Sequence, residues 1–370
     1  MARRDRLTRK YREAGKRRLG GLPFHRRHRR LLISLGTALA LVLGVLGGYA
    51  YHLNSQLNNF GRVDITSVNN GQADPDEDRA LNILLLGSDA GEGSEGGSSV
   101  EEDAVAQEWP SGKYRSDTLM IVHIPKDRSA VQLISVPRDT YTEIYDEDGE
   151  EQGKQKINGA FSEYGPAGAV ATVQNLTGLS IDHLAIIDWE GFKDLTSAVG
   201  GVEVFIPESF YDPSQKIQWE AGEQTLEGER ALQYVRTRYG LLRGDFDRIA
   251  RQQNFLRSVM NKMLSRGTLN NPVRLANTLE ALSNNMTLDT GWSSGSLRSL
   301  ALSLRGVSSN DVSFLTAPVA TTEELAGIGD IVRLNEAQSE ELWTAVAHDT
   351  VADYLATYPE EQLPSEREVG

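Results

Sequence analysis

Cysteine is absent from all 370 residues. That excludes disulfides, thiolate metal sites and cysteine nucleophiles, and any exported part of the chain must be held by its apolar core alone. Histidine is scarce. The six residues His25, His28, His52, His123, His183 and His348 show no metal-ligand spacing, and His123 and His183 read as ordinary strand residues. Basic charge is missing from most of the chain. The first 30 residues carry 13 Lys/Arg against Asp5 and Glu13, a net of +11, so residues 31–370 carry −25 within a whole-chain charge of −14. Yet six arginines fall between Arg230 and Arg251, in ERALQYVRTRYGLLRGDFDRIARQQ, where the only acids are Asp245 and Asp247. An acidic body that concentrates arginine builds a site for an anion. Phosphate fits, because the guanidinium fork donates two parallel hydrogen bonds and keeps its charge when desolvated. The plainer alternative is a solvated helix face with Arg–Asp pairs.

Charge is also absent from Leu31 to Tyr51, LLISLGTALALVLGVLGGYAY. A helix of that length, at about 1.5 Å per residue, spans the roughly 30 Å of a bilayer's hydrocarbon core. The basic cluster of residues 1–30 lies immediately before it, which predicts a cytoplasmic tail at 1–30, a transmembrane helix at 31–51 and an extracytoplasmic remainder. Gly48-Tyr49-Ala50 resembles a signal-peptidase site, but the apolar run exceeds a signal's usual core of about 7–15 residues. The basic arm leads straight into the span, so it faces lipid headgroups rather than nucleic acid.

Residues 52–79 are polar and read as a stalk. A body at 80–320 follows, with a C-terminal extension at 321–370. LNILLLGSD (81–89) opens the body as a strand, and residues 90–112 read as a Gly/Ser/Glu-rich loop. TLMIVHI (118–124) and VQLISVP (131–137) predict antiparallel neighbours. HLAIIDW (183–189), VEVFIP (202–207) and VSFLTAPV (312–319) are further strands. Helices are expected from about 168 to 176, near 190–198, over 228–235 and 245–264, and near 272–284, 295–305 and 336–347. Strands interleaved with helices predict an α/β (α+β-like) fold with a central mixed sheet flanked by helices.

This sheet would gather chemistry at one edge. Arg115 and Asp117 precede TLMIVHI, and Arg138 follows VQLISVP. Asp89 joins them if the first strand runs parallel to VQLISVP. Arg236 and Arg238 would point to one side of an extended segment. Arg248 and Gln252 share a helix face, with Arg251 off it as a surface residue. Two carboxylates suit Mg²⁺ shared with phosphate oxygens, and the arginines suit a pyrophosphate. Two sharper motifs fail on context. GEGSEG (91–96) matches a dinucleotide fingerprint, but no apolar helix opens at its third glycine. GWSSG (291–295) matches a nucleophile elbow, with Asp311 or Asp330 and His348 as formal triad partners. The preceding NNMTLDT does not read as a buried strand, and the serines read as a helix N-cap.

LLLGSD, YRSDTLMIVHI, LISVPRDTY, KINGAF, GGVEVFIP and LEGERALQYVRTR…GDFDRIARQQ together resemble the LytR-CpsA-Psr family of cell-envelope enzymes, in family order over about residues 80–266. The resemblance implies a membrane-anchored phosphotransferase that moves an anionic glycopolymer from a polyprenyl-pyrophosphate carrier to peptidoglycan, with Mg²⁺ or Mn²⁺. It implies Asp89 and Asp117 as metal ligands and Arg138, Arg236 and Arg238 at the pyrophosphate. Arg115, Lys156, Arg248 and Gln252 would complete the polar shell, and an apolar groove would take the prenyl tail. Many members carry an arginine just after the first aspartate, where this chain reads GSDAGEG. A lipid-pyrophosphate receptor or hydrolase would present the same residues.

Overall fold

Alternation of apolar residues along short runs builds the centre of the molecule. The computed structural model describes residues 44–45, 47–69, 79–90, 100–104, 106, 109–237, 245–263, 265–365 and 369. The chain divides between Leu53 and Asn54, and the fold below is that of Asn54–Gly370. Seven strands make the main sheet: β1 (Gly61–Val63), β2 (Leu81–Ala90), β3 (Tyr114–Ile124), β4 (Val131–Ser135), β7 (His183–Asp188), β12 (Met286–Asp289) and β13 (Val312–Thr316). Their order is β1-β12-β7-β2-β3-β4-β13. Pairing is antiparallel for β12–β7, β2–β3 and β3–β4, and parallel for β1–β12, β7–β2 and β4–β13, so the sheet is mixed as expected.

Successive residues of β2 face opposite sides, as strand geometry requires. Leu84 and Leu86 enter one core with Leu119, Ile121 and Ile134, covered by helices α2 (Asn158–Thr177) and α8 (Glu336–Ala347). Leu81 and Ile83 enter a second core with Met120, Leu133 and Phe314, covered by α5 (Asp245–Met263) and α7 (Ser294–Ser303). A third core joins α3 (Trp189–Ala198), α4 (Gly228–Arg236) and α5 to the hairpin of β8 (Val202–Ile206) with β11 (Gly222–Leu226). Between those two strands lies a small hairpin of β9 (Phe210–Asp212) and β10 (Ile217–Trp219). The remaining elements are α1 (Val100–Ala104), hairpins β5 (Tyr141–Tyr145) with β6 (Glu151–Lys156) and β14 (Val319–Leu325) with β15 (Gly329–Leu334), and helices α6 (Pro272–Asn285) and α9 (Val351–Thr357).

Several expectations shift. Helix α2 starts ten residues before the expected 168. Pro166 reads as a break, but Gly165 adopts φ 67°, which lets the helix resume after a kink. Strand β3 starts at Tyr114, so Arg115 and Asp117 lie within it rather than before it. Residues 61–63, read as stalk, form edge strand β1. The NNMTLDT segment does contain a sheet strand, β12; it is short and half-polar because it lies near the edge. Among the described residues no helix is long and apolar enough to cross a membrane; residues 31–43 and Leu46 of the expected span lie outside them.

Candidate functional site

The antiparallel order β2-β3-β4 brings the end of β2, the start of β3 and the end of β4 to one sheet edge. Asp89 is in register with Arg115, two residues along β3 from Asp117. The Arg138 guanidinium donates to the Asp117 carboxylate through Nη1. Its Nε lies 3.4 Å from Asp139, and Asp139 in turn meets the Lys156 ammonium at 3.2 Å. Asp117–Arg138–Asp139–Lys156 is thus a row of alternating charge. All four side chains keep between 19% and 25% exposure, so the row is sheltered yet open to an incoming anion. Backbone bonds hold its shape: the Val136 amide donates to Leu119 O, and the first amide of α2, at Asn158, donates to Arg138 O. The row thus lies beside the first turn of α2, ahead of its kink at Gly165.

Thr118, the residue after Asp117 on β3, lines a largely apolar cavity of about 90 Å³. Leu85, Met120, Ile187, Phe192, Val235 and Leu256 form most of its wall, with Thr118, Asp188 and Gln252 at the polar part. The Thr118 hydroxyl donates to Gln252 Oε1 at 3.4 Å, and Gln252 Nε2 to Val235 O at 3.4 Å. Gly87 also lines the cavity, and a Cβ there would meet the Thr118 Cβ at 3.0 Å. A larger residue would push β3 aside and close this space.

The structure therefore brings together Asp117, Arg138 and Lys156, and places Gln252 on the adjoining wall. Arg115 is exposed on β3. Arg236 is exposed and is the last residue of α4, rather than part of an extended segment with Arg238; Arg238 lies outside the described residues. Arg248 is buried at 3% exposure. Arg251, expected at the surface, is also buried at 2%, with its guanidinium 4.8 Å from the Phe210 ring centroid and 5.2 Å from that of Tyr234. Its two aromatic neighbours come from elements 17 and more residues away in sequence, which helix periodicity cannot reveal.

Sequence reasoning missed Asp139, whose link between two cations depends on the β6–α2 corner. It also missed Gln253. That side chain is 1% exposed and donates to Ser135 Oγ at 2.7 Å, Leu315 O at 3.0 Å and Thr316 Oγ1 at 3.1 Å. It ties α5 to the ends of β4 and β13, three residues from Arg138. His123 and His183 are strand residues. His123 meets Asn82, and His183 meets Asp289 and stacks on Trp292 at 4.4 Å, both at the opposite edge of the sheet. Ser293 caps α7 by accepting from the Ser296 amide at 3.1 Å.

A mixed sheet flanked by helices, with acids and cations gathered at one edge, defines an α/β protein with a charged site at the ends of its central strands. Residues 51–348 match the model of the LytR_cpsA_psr family, and the chain belongs to that family. It is 36% identical over 282 residues to the cell wall biosynthesis protein LcpA of Corynebacterium glutamicum, covering 69% of this chain and 53% of LcpA. It is 31% identical over 248 residues to the polyisoprenyl-teichoic acid–peptidoglycan teichoic acid transferase TagV of Bacillus subtilis, covering 64% of this chain and 58% of TagV. The chain thus spans about half to two thirds of the length of these relatives. The crystal structure of TagV superposes with a TM-score of 0.58 at 24% identity over 74% of this chain and 98% of the other, which establishes the shared fold. A Streptococcus agalactiae protein, gbs0355, gives 0.61 at 25% identity over 74% and 89%.

Proposed function

We propose that this chain transfers an anionic glycopolymer from a polyprenyl-pyrophosphate carrier to a hydroxyl of peptidoglycan. The observation that carries the reading is the Asp117–Arg138–Asp139–Lys156 row lying beside an apolar cavity, since a prenyl pyrophosphate is a charged head on an apolar tail. Family membership and the activity for which TagV is named support it. The prenyl tail enters between Leu85, Phe192 and Leu256. Arg138, Arg236 and Arg238 take the pyrophosphate oxygens, with Arg115, Lys156, Arg248 and Gln252 around them. The acceptor oxygen attacks the phosphorus that bears the glycan. The bond to the prenyl phosphate breaks, the acceptor proton leaves to solvent, and the arginines stabilise the charge that builds on the departing phosphate.

The donor set suits Mg²⁺ or Mn²⁺. Among the described residues no cluster of three or more His, Asp or Glu is present to cage an ion alone. Mg²⁺ commonly takes one or two carboxylates and fills its shell with phosphate oxygens and water. Asp89 and Asp117 would supply those carboxylates, and the ion would neutralise pyrophosphate charge. Residues 31–51 would anchor the enzyme, with the catalytic body outside the cell membrane.

The test follows release of polyprenyl phosphate from a short lipid-linked glycan by the full chain in detergent. Release is expected to need both divalent metal and a peptidoglycan acceptor, and Arg138→Ala and Arg236→Ala are each expected to lose it. Wild-type rates in both variants would sink the assignment. Release without acceptor would make the chain a hydrolase, and binding without release a receptor.

A further inference from the structure

Asp212, at the end of β9, is fully buried. Its Oδ1 accepts from the Ser214 amide at 2.8 Å, the Ser214 hydroxyl at 2.6 Å and the Gln215 amide at 3.2 Å. Its Oδ2 accepts from Gln215 Nε2 at 2.8 Å and from the Thr237 hydroxyl. Burial alone would raise its pKa. The bonds from Ser214, Thr237 and Gln215 overcome that and hold it at about 2.

Four of these bonds lie within one turn. The fifth crosses to the residue between Arg236 and Arg238. Gln215 Nε2 makes a second crossing, to Gln233 O at 3.0 Å in the last turns of α4. Side chains reinforce the union: the Arg230 guanidinium lies 3.8 Å from the Trp219 ring centroid, and Trp219 meets Tyr234 edge-on at 5.2 Å. Buried Arg251 stands over Phe210 on the same hairpin, and its charge is attracted to Asp212 and Asp247.

We infer that the β9–β10 hairpin is a bracket for the arginine segment, and that Asp212 and Thr237 are positioning residues for the reaction. A helix end is where backbone frays, because its last carbonyls lack partners in the helix. Thr237 itself has left the helix, with φ −63° and ψ 135°. Its hydroxyl, 1% exposed with the residue, anchors that departing backbone to a buried carboxylate. The backbone that carries Arg236 is then fixed at its helix end. Preorganised cations stabilise transition-state charge without reorganising, and a displacement of about 1 Å can cost about 100-fold in rate.

The inference rests on the transferase reading, so the test separates the two. The full chain in detergent is assayed for polyprenyl phosphate release, and amide hydrogen exchange is read over 233–237. Thr237→Val keeps shape and removes the hydroxyl donor. It is expected to speed exchange across 235–237 and to lower kcat about 10-fold, with KM for the lipid donor within about 2-fold. Thr237→Ser restores the donor and is expected to recover both. Asp212→Asn, where it folds, should resemble Thr237→Val. If Arg236→Ala abolishes transfer while Thr237→Val leaves kcat and exchange unchanged, the bracket is refuted and the transferase stands. If Arg236→Ala transfers normally, the role of the arginines in transfer fails. Exchange alone then judges the bracket, and unchanged protection in Thr237→Val overturns it.

Discussion

Replacing Asp212 by Asn should remove a pH-dependent share of the protein's stability. The carboxylate is fully buried, with its pKa held at about 2 against an ordinary value of 3.8. A shift of just under two units corresponds to roughly 2 kcal/mol of preference for the folded, ionised state. The sign follows from the direction. Because the folded pKa lies below the unfolded one, the contribution is complete above about pH 4 and disappears as pH falls through about 2. Asparagine keeps one acceptor oxygen for Ser214 but turns the other into a donor facing Gln215 and Thr237, and it leaves buried Arg251 with less negative charge nearby. Urea unfolding of the full chain, followed by tryptophan fluorescence, measures the outcome, since Trp219 lies buried in the same hairpin region. At pH 7 the variant should be about 2 kcal/mol less stable with an unchanged m-value. The gap should narrow below pH 4 and close near pH 2. Other carboxylates titrate in both proteins, so the difference isolates position 212. A gap that stays constant from pH 7 to pH 2.5 would refute the electrostatic account and leave only shape.

Gln253→Leu strips the shared, buried donor from Ser135, Leu315 and Thr316 at the ends of β4 and β13, and should cost about 3 kcal/mol in a urea titration. Leu256→Trp fills the cavity beside Thr118. It should weaken binding of a prenyl pyrophosphate about 10-fold by calorimetry while leaving inorganic pyrophosphate binding unchanged.

The strands that carry the site were readable because β2, β3 and β4 are largely buried and give short, mostly apolar runs, bounded by polar and charged motifs. The antiparallel pairing of β3 with β4 followed from their short connection, and Asp117 and Arg138 met as that pairing requires; the place of β2, more than twenty residues earlier along the chain, stayed conditional. β12 was overlooked because it is four residues long and draws its burial from β7 and β1, distant in sequence. Arg251 was misplaced for a related reason: periodicity gives a residue's direction on its own helix but not what packs against it. Asp139, Asp212 and Gln253 act through hydrogen bonds and ion pairs to other elements, and a bare polar residue announces none of these in sequence.

The pairing of β1 with β12 and of β4 with β13 sets an order in time. The chain emerges N-terminus first, yet β1 waits for residues 287–289 and β4 for residues 312–316 before each has its parallel neighbour. The β2–β3–β4 meander has close partners and can pair early, whereas the cations and amides of α5 reach it only after more than a hundred further residues. A chain cut short before β13 would display Asp117 and Arg138 without the strand that Gln253 fastens, so the charged row would exist before its support did.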